Sequence, residues 1–220
     1  MTALPRPCIC LVTDRRQVAP RARTLTDECN ALEAFLVTAI DAAVDVIQIR
    51  ERDVDARALA PLIARVLARA RPSGTRVLVN DRADLALAAG ADGVHLPAAG
   101  LPASRVRALA PAWIIGRSVH AGDFNLASAG CDYLLFGTVF ASTSKPAGWR
   151  VAGVDALRDV VEAARVPVLA IGGVTPAHAF SVAAAGAAGV AAVSLFLPPP
   201  AGLGPAAAVR ALRGAFAPPS

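Results

Sequence analysis

The residue types able to do chemistry fall in a few short motifs. Ile171-Gly172-Gly173-Val174-Thr175-Pro176 places two glycines just ahead of a proline. Paired glycines let backbone N–H groups approach an anion, and a helix opening at Pro176 adds the positive end of its dipole. A tight turn is the alternative. Lys145 is the only lysine among 22 Lys and Arg residues, and it follows Ser142, Thr143 and Ser144. A compact ammonium beside three hydroxyls makes an anion grip, with chance retention as the alternative. Gln48 and Arg50 alternate along an apolar run and so share one face of a strand. An Arg buried there requires a carboxylate or an anionic ligand. Asn80-Asp81 ends another apolar run, as suited to capping the next helix as to holding a ligand. Ser118, His120, Thr138 and Ser194 close further runs. His95, between Val94 and Leu96, reads equally as a satisfied core histidine, and His178 as a structural residue within a helix.

The elements that must position these motifs alternate between two periods. Short β-branched runs occur at Cys8–Asp14, Asp45–Arg50, Arg76–Asn80, Gly93–Leu96, Ile114–Val119, Tyr133–Gly137, Val166–Ile171 and Gly189–Ser194. Between them lie stretches with helical spacing: Asp27–Ala43, Asp55–Ala70, Arg82–Ala89, Ala103–Ala110, Phe124–Ala129, Val154–Ala164 and Pro176–Ala185, then Pro205–Phe216. Eight strands, each followed by a helix, predict an α/β chain folded as a single (β/α)8 TIM barrel over residues 1–220. An open doubly wound sheet is the runner-up. It usually carries a Gly-rich turn after its first strand, whereas here that strand ends in Thr13-Asp14-Arg15-Arg16. Three segments (Ala89-Gly90-Ala91-Asp92, Ala129-Gly130-Cys131-Asp132 and Ala185-Gly186-Ala187-Ala188) repeat where a helix closes and a strand opens, with the glycine as a left-handed C-cap. In a barrel of this kind chemistry collects at the C-terminal ends of the strands, and each motif above falls there.

Composition narrows the function. Hydrophobic residues make up 55% and charged residues 18%, which excludes a disordered chain. The net charge of +5 favours anionic partners. Arginines are scattered without interleaved aromatics, which points to a small phosphorylated molecule rather than nucleic acid. Ala179 to Val209 contains no charged residue, but it is mostly Ala and Gly and is broken by Pro198-Pro199-Pro200, so it is not expected to cross a membrane. Cys8, Cys10, Cys29 and Cys131 match no zinc spacing. They are expected to be buried free thiols in a cytoplasmic chain without a signal peptide.

Taken in order, Gln48-Ile49-Arg50-Glu51, Val79-Asn80-Asp81-Arg82, Asp92-Gly93-Val94-His95-Leu96, Gly116-Arg117-Ser118-Val119-His120, Asp132-Tyr133 to Phe140 and Ala170-Ile171-Gly172-Gly173-Val174 resemble the thiamine phosphate synthase/TenI superfamily. Two activities are implied. The synthase joins hydroxymethylpyrimidine diphosphate to a thiazole phosphate and releases pyrophosphate. TenI, a thiazole tautomerase, aromatises a thiazole carboxylate phosphate by moving a proton, and is the leading expectation. A thiazole-phosphate binder without chemistry is the third. The resemblance implies a phosphate site at Gly172, Gly173 and Ser194, with Lys145, Ser142 and Ser144 closing over the ligand. Gln48 and Arg50 would orient the ring, and Asn80, Asp81, Ser118 and His120 would form a polar wall. A synthase would need Mg²⁺ held by two aspartates. The first matches Asp81, but the second position is Gly100. Ala98 replaces an amide on the diphosphate side and Arg52 a lysine. The tautomerase histidine position is Thr138, a poor general base, so proton transfer would fall first to His120 and then to Asp81. Barrels of this superfamily often assemble as dimers or larger homo-oligomers.

Overall fold

The computed structural model describes residues 4–122, 129–142, 148 and 150–217. Strands β1 (Cys8–Val12), β2 (Val46–Ile49), β3 (Arg76–Asn80), β4 (Gly93–Leu96), β5 (Ile114–Val119), β6 (Tyr133–Gly137), β7 (Val168–Ile171) and β8 (Gly189–Ala192) close into a barrel in sequence order. Every neighbouring pair is parallel, including β8 on β1. The helices that follow are α1 (Arg15–Val18), α2 (Leu25–Asp41), α3 (Ala56–Ser73), α4 (Ala83–Ala89), α5 (Ala103–Leu109), α6 (Gly153–Ala163), α7 (Pro176–Ala184) and α8 (Pro205–Ala215). The stretch at Phe124 and the loop residues Thr143, Ser144 and Lys145 lie outside the described residues. The single (β/α)8 barrel expected from the periodicity is therefore the fold.

Period-2 alternation divides the apolar residues between two compartments. Cys8, Cys10, Val12, Val46, Leu78, Tyr133, Leu135 and Leu169 fill the barrel. Their strand neighbours Ile9, Leu11, Ile47, Val77, Val79 and Leu134 pack outward against helix residues such as Leu32, Leu36, Ile63 and Leu67. The strands are buried on both faces and so read as continuous apolar runs. All four cysteines are buried, and among the described residues no disulfide joins them; burial pushes Cys8 up to about 12, which leaves it inert as a nucleophile.

The repeated Gly-x-Asp segments carry the register. Gly90 and Gly130 adopt φ of 67° and 82°, the left-handed conformation that ends a helix. Ala43, at φ 58°, takes the same conformation ahead of Asp45, and in each case the aspartate two residues on bonds the preceding strand. The backbone N–H of Ile9 donates to Asp45 Oδ2, that of Val77 to Asp92 Oδ2 and that of Ile115 to Asp132 Oδ2, at 2.7–2.8 Å. In return the N–H of each aspartate donates to the carbonyl of the same residue. These reciprocal pairs fix where β2, β4 and β6 start, at the end of the barrel opposite the candidate site. Among the described residues no helix is long and apolar enough to cross a membrane, and Ala179 to Val209 resolves into the end of α7, β8, a 3-10 turn and α8.

Candidate active site

The polar residues singled out by spacing do gather at the C-terminal ends of the strands. Gln48 and Asn80 face each other inside the mouth, where Gln48 Nε2 donates to Asn80 Oδ1 at 3.1 Å. Asn80 is therefore not a helix cap. The residue before α4 is Arg82, which makes no side-chain cap bond. Among the described residues Gln48 Oε1 is left buried without a hydrogen-bond partner. An orphaned buried acceptor costs about 1–3 kcal/mol, so a fold that keeps one in its mouth is poised to receive a donor from a ligand.

Arg50 supplies the charge. It is half-buried, and no described carboxylate comes within salt-bridge distance of its guanidinium. Burial, and then the neighbouring Arg52, holds its pKa below the usual value. Arg15, close by at the end of β1, is the contrast. It is buried but fully compensated by Glu28, Glu51 and Asp53. Glu51 in turn accepts from the Thr13 hydroxyl, which accepts from the Arg50 backbone N–H. Burial pushes the Glu51 carboxyl up, against the pull of Thr13 and Arg15. Arg15 thus belongs to the scaffold, and Arg50 is left for an anion.

A cavity of about 290 Å³ opens beside these groups, lined by Glu51, Arg52, Asn80, Asp81, Arg82 and Pro97 among others. Asp81 is exposed, at φ 60°, a left-handed conformation that Asp tolerates. A Cβ at Gly100 would stand 3.3 Å from Asp81 Oδ1. Position 100 is thus where a second carboxylate would meet the first, and this chain has hydrogen there. Mg²⁺ is commonly held by one or two carboxylates plus substrate phosphate oxygens, so Asp81 supplies the minimum donor set.

On the other side of the mouth, a cavity of about 630 Å³ is lined by His120, Gly137, Thr138, Arg150 and Ala152 among others. His120 is exposed, and its Nδ1 lies 2.8 Å from the Gly137 carbonyl. Nδ1–H donates there, and the ring borders the cavity. Gly172 and Gly173 have φ of 98° and 63°. A Cβ at Gly172 would strike Thr138, and one at Gly173 the carbonyl of Ala141. The pair is needed for this close approach whether or not an anion binds. Ser194 is exposed at the start of the turn after β8, and Ser142 is half-buried at the start of the loop after β6. Ser144 and Lys145 fall outside the described residues.

One residue not counted in the site by spacing proves to support its wall. His95 is 1% exposed, with Nδ1 2.9 Å from Tyr133 Oη and Nε2 2.9 Å from Ser118 Oγ. Burial, and next the Arg50 charge, pushes its pKa down to about 3, so it is neutral. It is the core histidine that its neighbours implied, yet it touches Ser118. The signal lay in strand parity: Gly93, His95, Gly116, Ser118 and Tyr133 all point inward. His178 stacks on Phe140 and bonds the Gly173 carbonyl, a structural role.

Comparison with known proteins agrees with this geometry. The family model of thiamine monophosphate synthase matches residues 10–196. A thiamine-phosphate synthase of Roseiflexus castenholzii is 39% identical over 210 residues, covering 94% of this chain and 87% of that protein. A putative thiamine-phosphate synthase of Geobacter sulfurreducens is 39% identical over 194 residues, 86% of each chain. The solved thiamine phosphate pyrophosphorylase from Pyrococcus furiosus superposes with a TM-score of 0.78 at 29% identity, over 96% of this chain and 95% of that one. With the motifs at the strand ends and the match spanning the whole barrel, the chain belongs to the thiamine monophosphate synthase family, a family of thiamine biosynthesis.

Proposed function

We propose that this chain is a thiamine-phosphate synthase, joining hydroxymethylpyrimidine diphosphate to a thiazole phosphate. The observation that carries the reading is the buried Gln48 Oε1, partnerless among the described residues, on a side chain whose Nε2 donates to Asn80. The pyrimidine bears an exocyclic amine and ring nitrogens. Gln48 Oε1 accepts from the amine, and the Asn80 amide N–H groups donate to a ring nitrogen. A thiazole phosphate alone offers this corner no amine to donate.

In the reaction the bond between the pyrimidine methylene and the diphosphate oxygen breaks, and its electron pair leaves with pyrophosphate. The thiazole nitrogen lone pair forms the new C–N bond. Arg50, free of any described carboxylate, holds the diphosphate and stabilises the charge that grows on it. Mg²⁺, when bound through Asp81, supplies further neutralisation of that charge. The Gly172-Gly173 turn and Ser194 bind the thiazole phosphate. The hydroxyls of Ser142 and Ser144 and the ammonium of Lys145 supply further donors for the two anions. Ser118 orients the pyrimidine from the opposite wall.

The synthases among the relatives support this order over the tautomerase. The tautomerase reading rests on His120 Nε2, since the hydroxyl of Thr138 does not titrate near neutrality. The test is Gln48→Met. The variant removes the orphaned acceptor but also the donor to Asn80 Oδ1, so the two effects on stability offset and the melting temperature is expected to stay about unchanged, while kcat/KM for coupling falls about tenfold or more. Full coupling activity in the variant would sink the reading.

A further inference from the structure

We infer that Tyr133 and His95 fix the direction of the Ser118 hydroxyl, making Ser118 an obligatory hydrogen-bond donor toward the barrel mouth. They are positioning residues for whatever acceptor the ligand presents there.

The argument starts from Tyr133. Its side chain points into the barrel and is 1% exposed. Room for it exists because position 116 on the adjoining strand is glycine; a Cβ there would land on the ring. Among the described residues the hydroxyl has one hydrogen-bond partner, His95 Nδ1, at 2.9 Å. A buried O–H must donate, so His95 Nδ1 carries the lone pair and Nε2 carries the proton. The opposite tautomer would orphan the tyrosine proton, which disfavours it by roughly tenfold to a hundredfold in population. An imidazolium would orphan it as well.

The consequence passes to Ser118. His95 Nε2–H donates to Ser118 Oγ at 2.9 Å. The serine proton cannot point back at a donor, so it turns to the half-buried side that opens on the mouth. Had the tautomer been reversed, Ser118 would spend its proton on His95 and face the ligand as an acceptor. The relay thus selects a ligand with a lone pair at that point, such as an unprotonated ring nitrogen. Gln48 Oε1 selects a donor across the same mouth. The inference that this acceptor belongs to the pyrimidine rests on the synthase reading; the polarity of the relay does not.

The experiment has two arms. Long-range ¹H–¹⁵N correlation spectra of the wild-type protein without substrate report the tautomer of each histidine, with His120→Gln and His178→Asn assigning the other two. His95 is expected as a single neutral form protonated at Nε2. Protonation at Nδ1, an imidazolium at neutral pH or a mixture would overturn the inference. In the second arm, Tyr133→Phe and Ser118→Ala are each expected to lower kcat/KM for coupling about tenfold. The double variant should lose little more, because the groups act as one unit. Unchanged activity in Tyr133→Phe, or additive losses, would refute the positioning role. If wild-type protein couples nothing, the synthase reading falls, while the spectra still decide the relay. If Tyr133→Phe does not fold, the wild-type spectra decide it alone.

Discussion

Acidification should destabilise this barrel in part through His95, and the size of that part follows from its environment. The free imidazole titrates near 6.5, and burial with the Arg50 charge brings the folded value to about 3. A depressed value means that the unfolded chain binds the proton first. The stability linked to His95 is therefore complete above pH 6.5 and is lost progressively as pH falls toward 3. Integrated from pH 7 to pH 5, the loss is about 2 kcal/mol. For a chain of this length that corresponds to roughly 4–8 °C in melting temperature. The assay is urea unfolding of wild type and His95→Gln at both pH values. Glu51, pushed the other way by burial, and every other carboxylate contribute to both proteins and cancel in the difference. The wild type should lose about 2 kcal/mol more than the variant. Equal losses would show that His95 is not held neutral, and the reasoning from its burial would fail.

Two further outcomes follow from named contacts. Gly116→Ala places a methyl on the Tyr133 ring and should destabilise the fold by about 1–3 kcal/mol, read as a lower urea midpoint; an unchanged midpoint would contradict the packing described for the barrel interior. Gly100→Asp sets a second carboxylate beside Asp81, at the cost of a shift of the Pro97 ring. It should lower the Mg²⁺ concentration for half-maximal coupling on the order of tenfold, and an unchanged Mg²⁺ titration would remove position 100 from the metal site.

What was legible in the sequence depended on the range of the interaction. β3, β4, β5 and β6 occupy the residues that the apolar runs outlined, because polar or turn residues bound those runs on both sides. β1, β2, β7 and β8 are shorter than their runs. Asp14 leaves the strand to accept from the N–H groups of Arg16 and Gln17, opening α1, a four-residue helix too short to show a period. Gly90 was read correctly as a C-cap, since a cap is local. Asp45, Asp92 and Asp132 were not read as register pins, since their partners lie 15 to 36 residues away. Gln48, Arg50, Asn80, Asp81 and Ser118 were legible as polar ends of apolar runs. Their division of labour was not. That among the described residues Gln48 Oε1 lacks a partner and Arg50 a carboxylate while Arg15 has three, and that His95 joins Tyr133 across 38 residues, are facts of tertiary contact.

The central claim is the coupling reaction itself. Purified protein is incubated with thiazole phosphate and Mg²⁺, with and without hydroxymethylpyrimidine diphosphate, and the products are separated by chromatography. Parallel incubations supply the thiazole carboxylate phosphate alone. Thiamine phosphate and pyrophosphate should appear one for one, and only when both substrates are present. Isomerisation of the thiazole carboxylate without coupling would make the chain a tautomerase acting through His120. Saturable thiazole phosphate binding with no product would contradict any enzymatic reading of the site.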